Sequence, residues 1–483
     1  MVFSSVIFLF LFLPITVTLY LISGQKLRNY LLLFASLIFY SWGEGFYVLL
    51  MLVSVCINYA GGLLIVRFHP QRPSRLILTG VVILNIGLLA AFKYGNFLVD
   101  NLNIFLNVVS VPQITIDKVH LPIGISFFTF QAMSYVIDVY RNPFLVQKKF
   151  SSLALYISLF PQLIAGPIVR YQDIAGQMAD RRMTLHDFSR GFERFIWGLG
   201  KKVLIANPLA NRADEIFAIA SGDLTTGLAW YGIVCYTLQI FFDFSGYSDM
   251  AIGLGRMFGF RFLENFQYPY ISQSIQEFWR RWHMSLSTWF RDYLYIPLGG
   301  NRKGPARTYF NLMFVFFLCG LWHGSSWTFV IWGLFHGIFL VLERTAFGRF
   351  ITGLWRPLRH GYAMLIVMTG WVFFRAETLK IAFRYLEAMA GFAKGDGVIH
   401  YFAFYWDNKI ALACLFGMVC SLPLAQWLSR FRGRMVARCN GWISSGLDGF
   451  METVQVLSTA TILMLSIMQL SVGAYNPFIY FRF

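Results

Sequence analysis

Two histidines stand in the stretch GLWHGSSWTFVIWGLFHG, residues 320–337, inside an otherwise almost unbroken apolar run. An imidazole in hydrocarbon is costly unless something satisfies its nitrogens. Ionisable groups at membrane depth are therefore functional candidates by default. A neutral imidazole is also well suited to taking a proton from a hydroxyl. His323 closes the apolar run that begins at Tyr309 and is followed by Gly324, Ser325 and Ser326. That pattern predicts a helix end or kink, where a side chain can meet a cavity instead of lipid. His336 lies farther along the same stretch, and on one continuous helix it would sit roughly 20 Å away and about 220° around the axis. The two can serve one small group only if the chain folds back at the Gly-Ser-Ser break.

A third candidate, His283, lies in QEFWRRWHMSLSTWFRDYLYIPLGGNRKG. The other five histidines, His69, His120, His186, His360 and His400, fall in polar loops or at element ends, where solvated or local roles are expected. Position alone leaves a packing role open for His283, His323 and His336, each bonded to a neighbouring helix. There is no HExxH and no nearby carboxylate cluster, so no metal site is expected.

The elements around these residues follow from pattern. The segment holding His283 has too many charges to span a bilayer and too many aromatics to be a solvated loop. At 100° per residue, Trp279, Trp282, His283, Leu286, Trp289, Phe290 and Tyr293 share one face, and Arg280, Arg281, Ser285, Thr288, Arg291 and Asp292 the other. This predicts a cytoplasmic-side amphipathic helix within 270–300, lying at or in the membrane boundary. His283 then points into the protein, and Pro297, Gly299 and Gly300 end the helix.

Of the 483 residues 57% are hydrophobic and 13% charged, well below the charged fraction of soluble domains. Apolar segments recur near 3–22, 30–49, 51–66, 76–98, 121–140, 151–169, 203–220, 226–245, 308–322, 326–342, 361–374, 410–428 and 455–475. The expected fold is an all-α polytopic membrane protein, one transmembrane domain over 1–483, because no polar linker divides the chain. The first segment lacks a basic n-region and a small-residue cleavage site, so it reads as an uncleaved span with its N-terminus outside. FPQLIAGP in 151–169 predicts a broken or re-entrant helix. Basic clusters then share the cytoplasmic side, with about 10 to 12 crossings and with 99–120 and 376–408 outside. The net charge of +17 sits in short loops between spans, which excludes a basic nucleic-acid-binding module. The six cysteines form no CxxC pair, and neither a disulfide framework nor a zinc site is expected.

Taken together, QEFWRRWHMSLSTWFRDYLYIPLGGNR and GLWHGSSWTFVIWGLFHG resemble the membrane-bound O-acyltransferase family. MVFSSVIFLFLFLP, LPIGISFFTFQAMSYVIDVYR, FPQLIAGPIVR and FFDFSGYSDMAIGLG are similar to its bacterial polysaccharide-acetylating branch, so the likeness runs nearly end to end. The resemblance implies a central funnel and tunnel through a thinned membrane centre. It assigns the catalytic histidine of the WHG motif to His323 and the second position to His283, and leaves His336 a packing residue. It implies O-acetyl transfer in a bacterial inner membrane, with His323 as general base and His283 orienting the acceptor or stabilising the tetrahedral intermediate.

The expected donor is a cytoplasmic thioester, acetyl-CoA, with no bound cofactor. The expected partners are a periplasmic acetyltransferase or esterase-like protein, membrane lipid and an exported polysaccharide. Alginate is the first expectation for that polymer, with cellulose or peptidoglycan as alternatives. A transporter that makes no covalent bond is the reading from another class. Arg280, Arg281, Arg291 and Arg302, with Trp279 and Trp282, are candidates for the donor site; positive-inside charge is the competing reading of the arginines. The aromatic tail 476–483 suggests a segment that buries itself, or anchors at the interface. By likeness to acyl-shuttling tails of the family, Tyr480 is a candidate first acyl acceptor.

Overall fold

The computed structural model describes residues 1–220, 222–392, 398, 400–438, 441–473 and 477. Among these the regular elements are all helical. Ten helices position the site: α1 (Tyr47–Arg67), α2 (Arg72–Val108), α3 (Ile125–Arg141), α4 (Leu185–Gly200), α5 (Thr226–Met257), α6 (Ile275–Arg281), α7 (Met284–Phe290), α8 (Gly304–His323), α9 (Trp327–Leu342) and α10 (Arg356–Arg375).

By length and apolarity alone, α1, α2 and Gly449–Ser471 can cross a membrane among the described residues. The pair Trp327–Leu342 and Ala346–Gly353, bent by 79°, adds a fourth if it is taken as one span. Other long helices, such as α5, bury Thr237, Gln239 and Asp243 against the rest of the protein, so polar side chains interrupt their apolar character. The 151–169 segment is broken as its prolines require: helix Phe150–Ser158 stops, Phe160–Leu163 makes one turn with Pro161 at its start, and residues 159–169 are buried throughout.

The 270–300 segment corrects the expectation of one amphipathic helix. It is α6, a break at Trp282 and His283, α7, and then a wide turn over Arg291–Tyr295. His283 has φ +44°, a left-handed backbone that no α-helix tolerates. The apolar stripe is nevertheless buried from Trp279 to Tyr293, and Ser285, placed on the polar face by periodicity, is buried with it. The stripe packs into the protein, while Gln276, Arg280 and Arg291 on the other side stay exposed.

The chain does fold back after His323. α8 and α9 are joined by Gly324–Ser326 and pack against each other at two glycines. A Cβ on Gly320 would stand 2.3 Å from the Phe329 carbonyl oxygen, and one on Gly333 would stand 2.2 Å from that of Phe316. Only hydrogen fits at this crossing. Gly333→Ala should therefore destabilise the protein by about 1–3 kcal/mol as the helices are forced apart. Gly80→Ala, with nothing within 4 Å of the added methyl, is the control expected to leave the thermal midpoint of the detergent-solubilised protein in place.

Candidate active site

Three histidines are buried at the centre: His283 and His336 fully, His323 all but 5%. The sequence places them by helix ends. Gly324, extended at φ −162°, stops α8 immediately after His323, so the ring projects from the last turn. The left-handed turn at His283 separates α6 from α7 and turns that ring toward α8. The two ring centroids lie 6.4 Å apart, with His283 edge-on to Phe244 at 4.6 Å. His323 is enclosed by Trp322 and Trp332, each 4.9 Å away, and by Phe374 at 5.2 Å.

Hydrogen bonds fix the tautomer of His283. The Asn265 side-chain oxygen accepts from the Ser285 backbone N–H at 3.2 Å and from the Ser285 hydroxyl at 2.9 Å, while its amide nitrogen donates to Ser248 at 2.9 Å. That oxygen is 3.1 Å from His283 Nδ1, so Nδ1 carries the proton and donates it. Nε2 is then the lone-pair nitrogen of the neutral ring, and it has no partner among the described residues; neither nitrogen of His323 has one there. A neutral His283 in this tautomer can accept a hydrogen bond from a hydroxyl. It has no second N–H to give an oxyanion, which separates the two roles that the sequence left open.

A cavity of about 320 Å³ reaches His323 and is lined by Lys93, Leu121, Pro122, Ser126, Trp322 and His323. His120 also lines it, its ring 59% exposed and 3.1 Å from the Glu44 carboxylate.

His336 does not meet His323 directly. Trp332 stands between them, 4.9 Å from the first ring and 5.3 Å from the second. Trp279 at 5.3 Å and Gly370, where a Cβ would come within 2.7 Å of Nε2, complete its surroundings. The donor-site candidates divide. Trp279 and Trp282 are buried in the wall of the site, against Trp332 and Trp371 respectively, at 5.7 Å and 5.0 Å. Arg281 is held by Glu277 at 2.9 Å and Arg291 by Asp292 at 2.7 Å, whereas Arg280 and Arg302 are exposed. Tyr480 lies outside the described residues. The nearest described part of that tail, the Pro477 carbonyl, accepts from Lys202, which is paired at 2.7 Å with buried Asp243, the neighbour of Phe244.

Sequence reasoning missed Asn265, which no local signal marked, and Lys93. The second had a signal: a lysine inside the apolar run 76–98 is an intramembrane charge. Its ammonium donates to the carbonyl oxygens of Trp322 and His323 and to the Ser126 hydroxyl. No cluster of His, Cys, Asp and Glu suited to a metal occurs among the described residues.

The family model described as "MBOAT, membrane-bound O-acyltransferase family" matches residues 85–374. That span holds Lys93, Asn265, His283, His323 and His336, but not the tail. A Pseudomonas putida protein named "Probable alginate O-acetylase AlgI" is 45% identical, with 100% of both chains covered. An Azotobacter vinelandii protein of the same name is 44% identical, again over 100% of both. A Helicobacter pylori protein named "Peptidoglycan O-acetyltransferase" is 37% identical over 81% of this chain and 80% of its own.

Proposed function

The chain belongs to the membrane-bound O-acyltransferase family and is an O-acyltransferase, and from that premise we propose that it supplies the acetyl groups of exported alginate from the bacterial inner membrane. The observation that carries the site assignment is the buried pair, His283 and His323, with rings 6.4 Å apart, nitrogens without a partner among the described residues, and His323 lining a cavity. The names of the Pseudomonas and Azotobacter relatives support alginate as the polymer; the Helicobacter name supports peptidoglycan more distantly. Cellulose is the remaining alternative. Family membership sets aside a transporter without chemistry.

In the proposed reaction, the one hydrogen of the acceptor hydroxyl is shared in a three-centre hydrogen bond between His283 Nε2 and a lone-pair nitrogen of His323, and it passes to His323. The oxygen attacks the thioester carbonyl of acetyl-CoA, the C–S bond breaks as the acetyl–oxygen bond forms, and the leaving thiolate takes the proton back from His323. Both histidines end the step unchanged, and the acetyl group is on the acceptor oxygen. The aromatic enclosure around His323 excludes bulk water, which strengthens each polar interaction made there. The donor reaches this point from the cytoplasm, with exposed Arg280 and Arg302 available to its phosphates, and the cavity lined by His120 and His323 gives a second approach to the base. The chain crosses the membrane about 10 to 12 times in this account.

Tyr480 is the proposed first acceptor, passing its acetyl group to a periplasmic transferase that completes transfer to the polymer. The anchoring of Pro477 by the Lys202–Asp243 pair supports this, because Tyr480 follows within about 10 Å of extended chain. Tyr480→Phe should leave the thermal midpoint unchanged and reduce polymer acetylation in a strain lacking the native gene by at least about a hundredfold, the scale of losing a positioned nucleophile. Wild-type acetyl content in that strain would remove Tyr480 from the mechanism while leaving the histidine pair to act on another hydroxyl.

A further inference from the structure

The end of α8 raises a question of its own. An α-helix leaves its last four carbonyl oxygens without partners inside the helix. Here those belong to Gly320, Leu321, Trp322 and His323, and they lie beside the reacting ring at membrane depth. The Gly324 N–H takes the first, at 3.3 Å. The other three are taken by two consecutive residues of α2. The Tyr94 hydroxyl donates to Leu321 at 2.7 Å, and the Lys93 ammonium donates to Trp322 and, at 3.3 Å, to His323.

The grip of α2 continues past the break. Lys93, Phe97 and Asn101 share one face of α2, at positions i, i+4 and i+8. Phe97 packs edge-on to Trp327 at 5.8 Å, and the Asn101 side-chain oxygen accepts from the Trp327 indole N–H at 2.8 Å. One face of a single helix thus holds the end of α8 and the start of α9. The third N–H of Lys93 goes to Ser126 on α3, 3.2 Å away, so none of its three donors is left for a substrate. A cation is also the charge that a helix C-terminus favours.

Resting on the reading of His323 as the general base, we infer that Lys93, assisted by Tyr94, is a positioning residue for that base. It locks the backbone of Trp322 and His323, and so sets the distance of the His323 ring from His283 and from the acceptor. The ring itself makes no hydrogen bond among the described residues, where backbone placement and aromatic packing are the means that hold it. Misplacing a reacting group by about 1 Å can lower a rate by about a hundredfold.

The test is made on full-length protein in lipid nanodiscs, with radiolabelled acetyl-CoA as the donor probe and acetyl transfer to an added hydroxyl acceptor as the readout. Lys93→Met keeps the length of the side chain and removes all three donors. It should lower kcat about a hundredfold with the KM for acetyl-CoA within about twofold of wild type, because the donor does not touch Lys93. Lys93→Arg, which can still reach two carbonyls, should recover at least about tenfold of that loss. Tyr94→Phe, which removes one hydroxyl and is expected to fold whatever Lys93→Met does, should lower kcat about three- to tenfold, again with KM unchanged.

A wild-type kcat in Lys93→Met would overturn the proposal. So would a rise in KM that accounts for the loss, or, should Lys93→Met not fold, a wild-type kcat in Tyr94→Phe. A failure of arginine to rescue at an unchanged thermal midpoint counts against it equally. His323→Ala is assayed alongside. If that variant keeps full activity, the base assignment fails and the proposal with it; if it is inactive while Lys93→Met is normal, only the clamp fails.

Discussion

His323→Ala lowers acetyl transfer from acetyl-CoA by about 10²–10⁴-fold in the account given above, the range a positioned general base contributes. The effect should fall on kcat, because the ring is asked only to move a proton and does not hold the donor. Its two nitrogens have no partner among the described residues, so removing them orphans no polar group there, and the fold has little reason to suffer. What alanine does leave is a gap against Trp322, Trp332 and Phe374. His323→Gln fills most of that gap without a base of comparable strength, and it should be as inactive as His323→Ala. Equal thermal midpoints with unequal activity would identify the loss as chemical.

The second large effect concerns His283, where two properties are separable. Its backbone is left-handed at φ +44°, a conformation that asparagine tolerates well and β-branched residues do not. Its Nδ1–H is bound to Asn265, while Nε2 is free to accept from a hydroxyl. His283→Asn keeps the turn and an amide donor for Asn265 but lacks the acceptor at the Nε2 position. It should fold normally and lose about tenfold to a hundredfold in kcat. His283→Val loses the same function and adds about 1–2 kcal/mol of backbone strain, so its thermal midpoint should also fall. Activity assays paired with thermal unfolding of the two variants separate the contributions. A fully active His283→Asn would show that the ring packs and does nothing more.

Much of this was legible in the sequence, for reasons that differ by residue. Charge scarcity and repeated apolar segments give the membrane class, since a bilayer admits little else. Pro161 and Gly166 mark the break in 151–169, and Gly324 marks the end of α8, because each forbids or favours a backbone state locally. The pairing of His283 with His323 came from family resemblance, and spacing could not have supplied it: the two are brought together by packing of segments that share no local signal. Periodicity found the buried stripe from Trp279 to Tyr293 but not the break within it, because histidine is an uncommon left-handed residue and a helical wheel assumes continuity. The same assumption separated His336 from His323 along one helix, whereas α8 and α9 fold back and leave a single indole between them. Lys93 was visible as a charge in an apolar run; that its partners are the carbonyls of the WHG turn is a tertiary fact.

The central claim is that His283 and His323 act together on one hydroxyl, and a double-mutant cycle on kcat measures it most directly. The rates needed are those of wild type, His323→Ala, His283→Asn and the double variant, with acetyl-CoA as donor. Residues that work as one unit are strongly non-additive. The double variant should be no slower than His323→Ala alone, within about threefold, since orienting a hydroxyl toward an absent base gains nothing. Losses that multiply in full, so that the double variant falls by the product of the two single effects, would mean that the histidines act independently and would contradict the account.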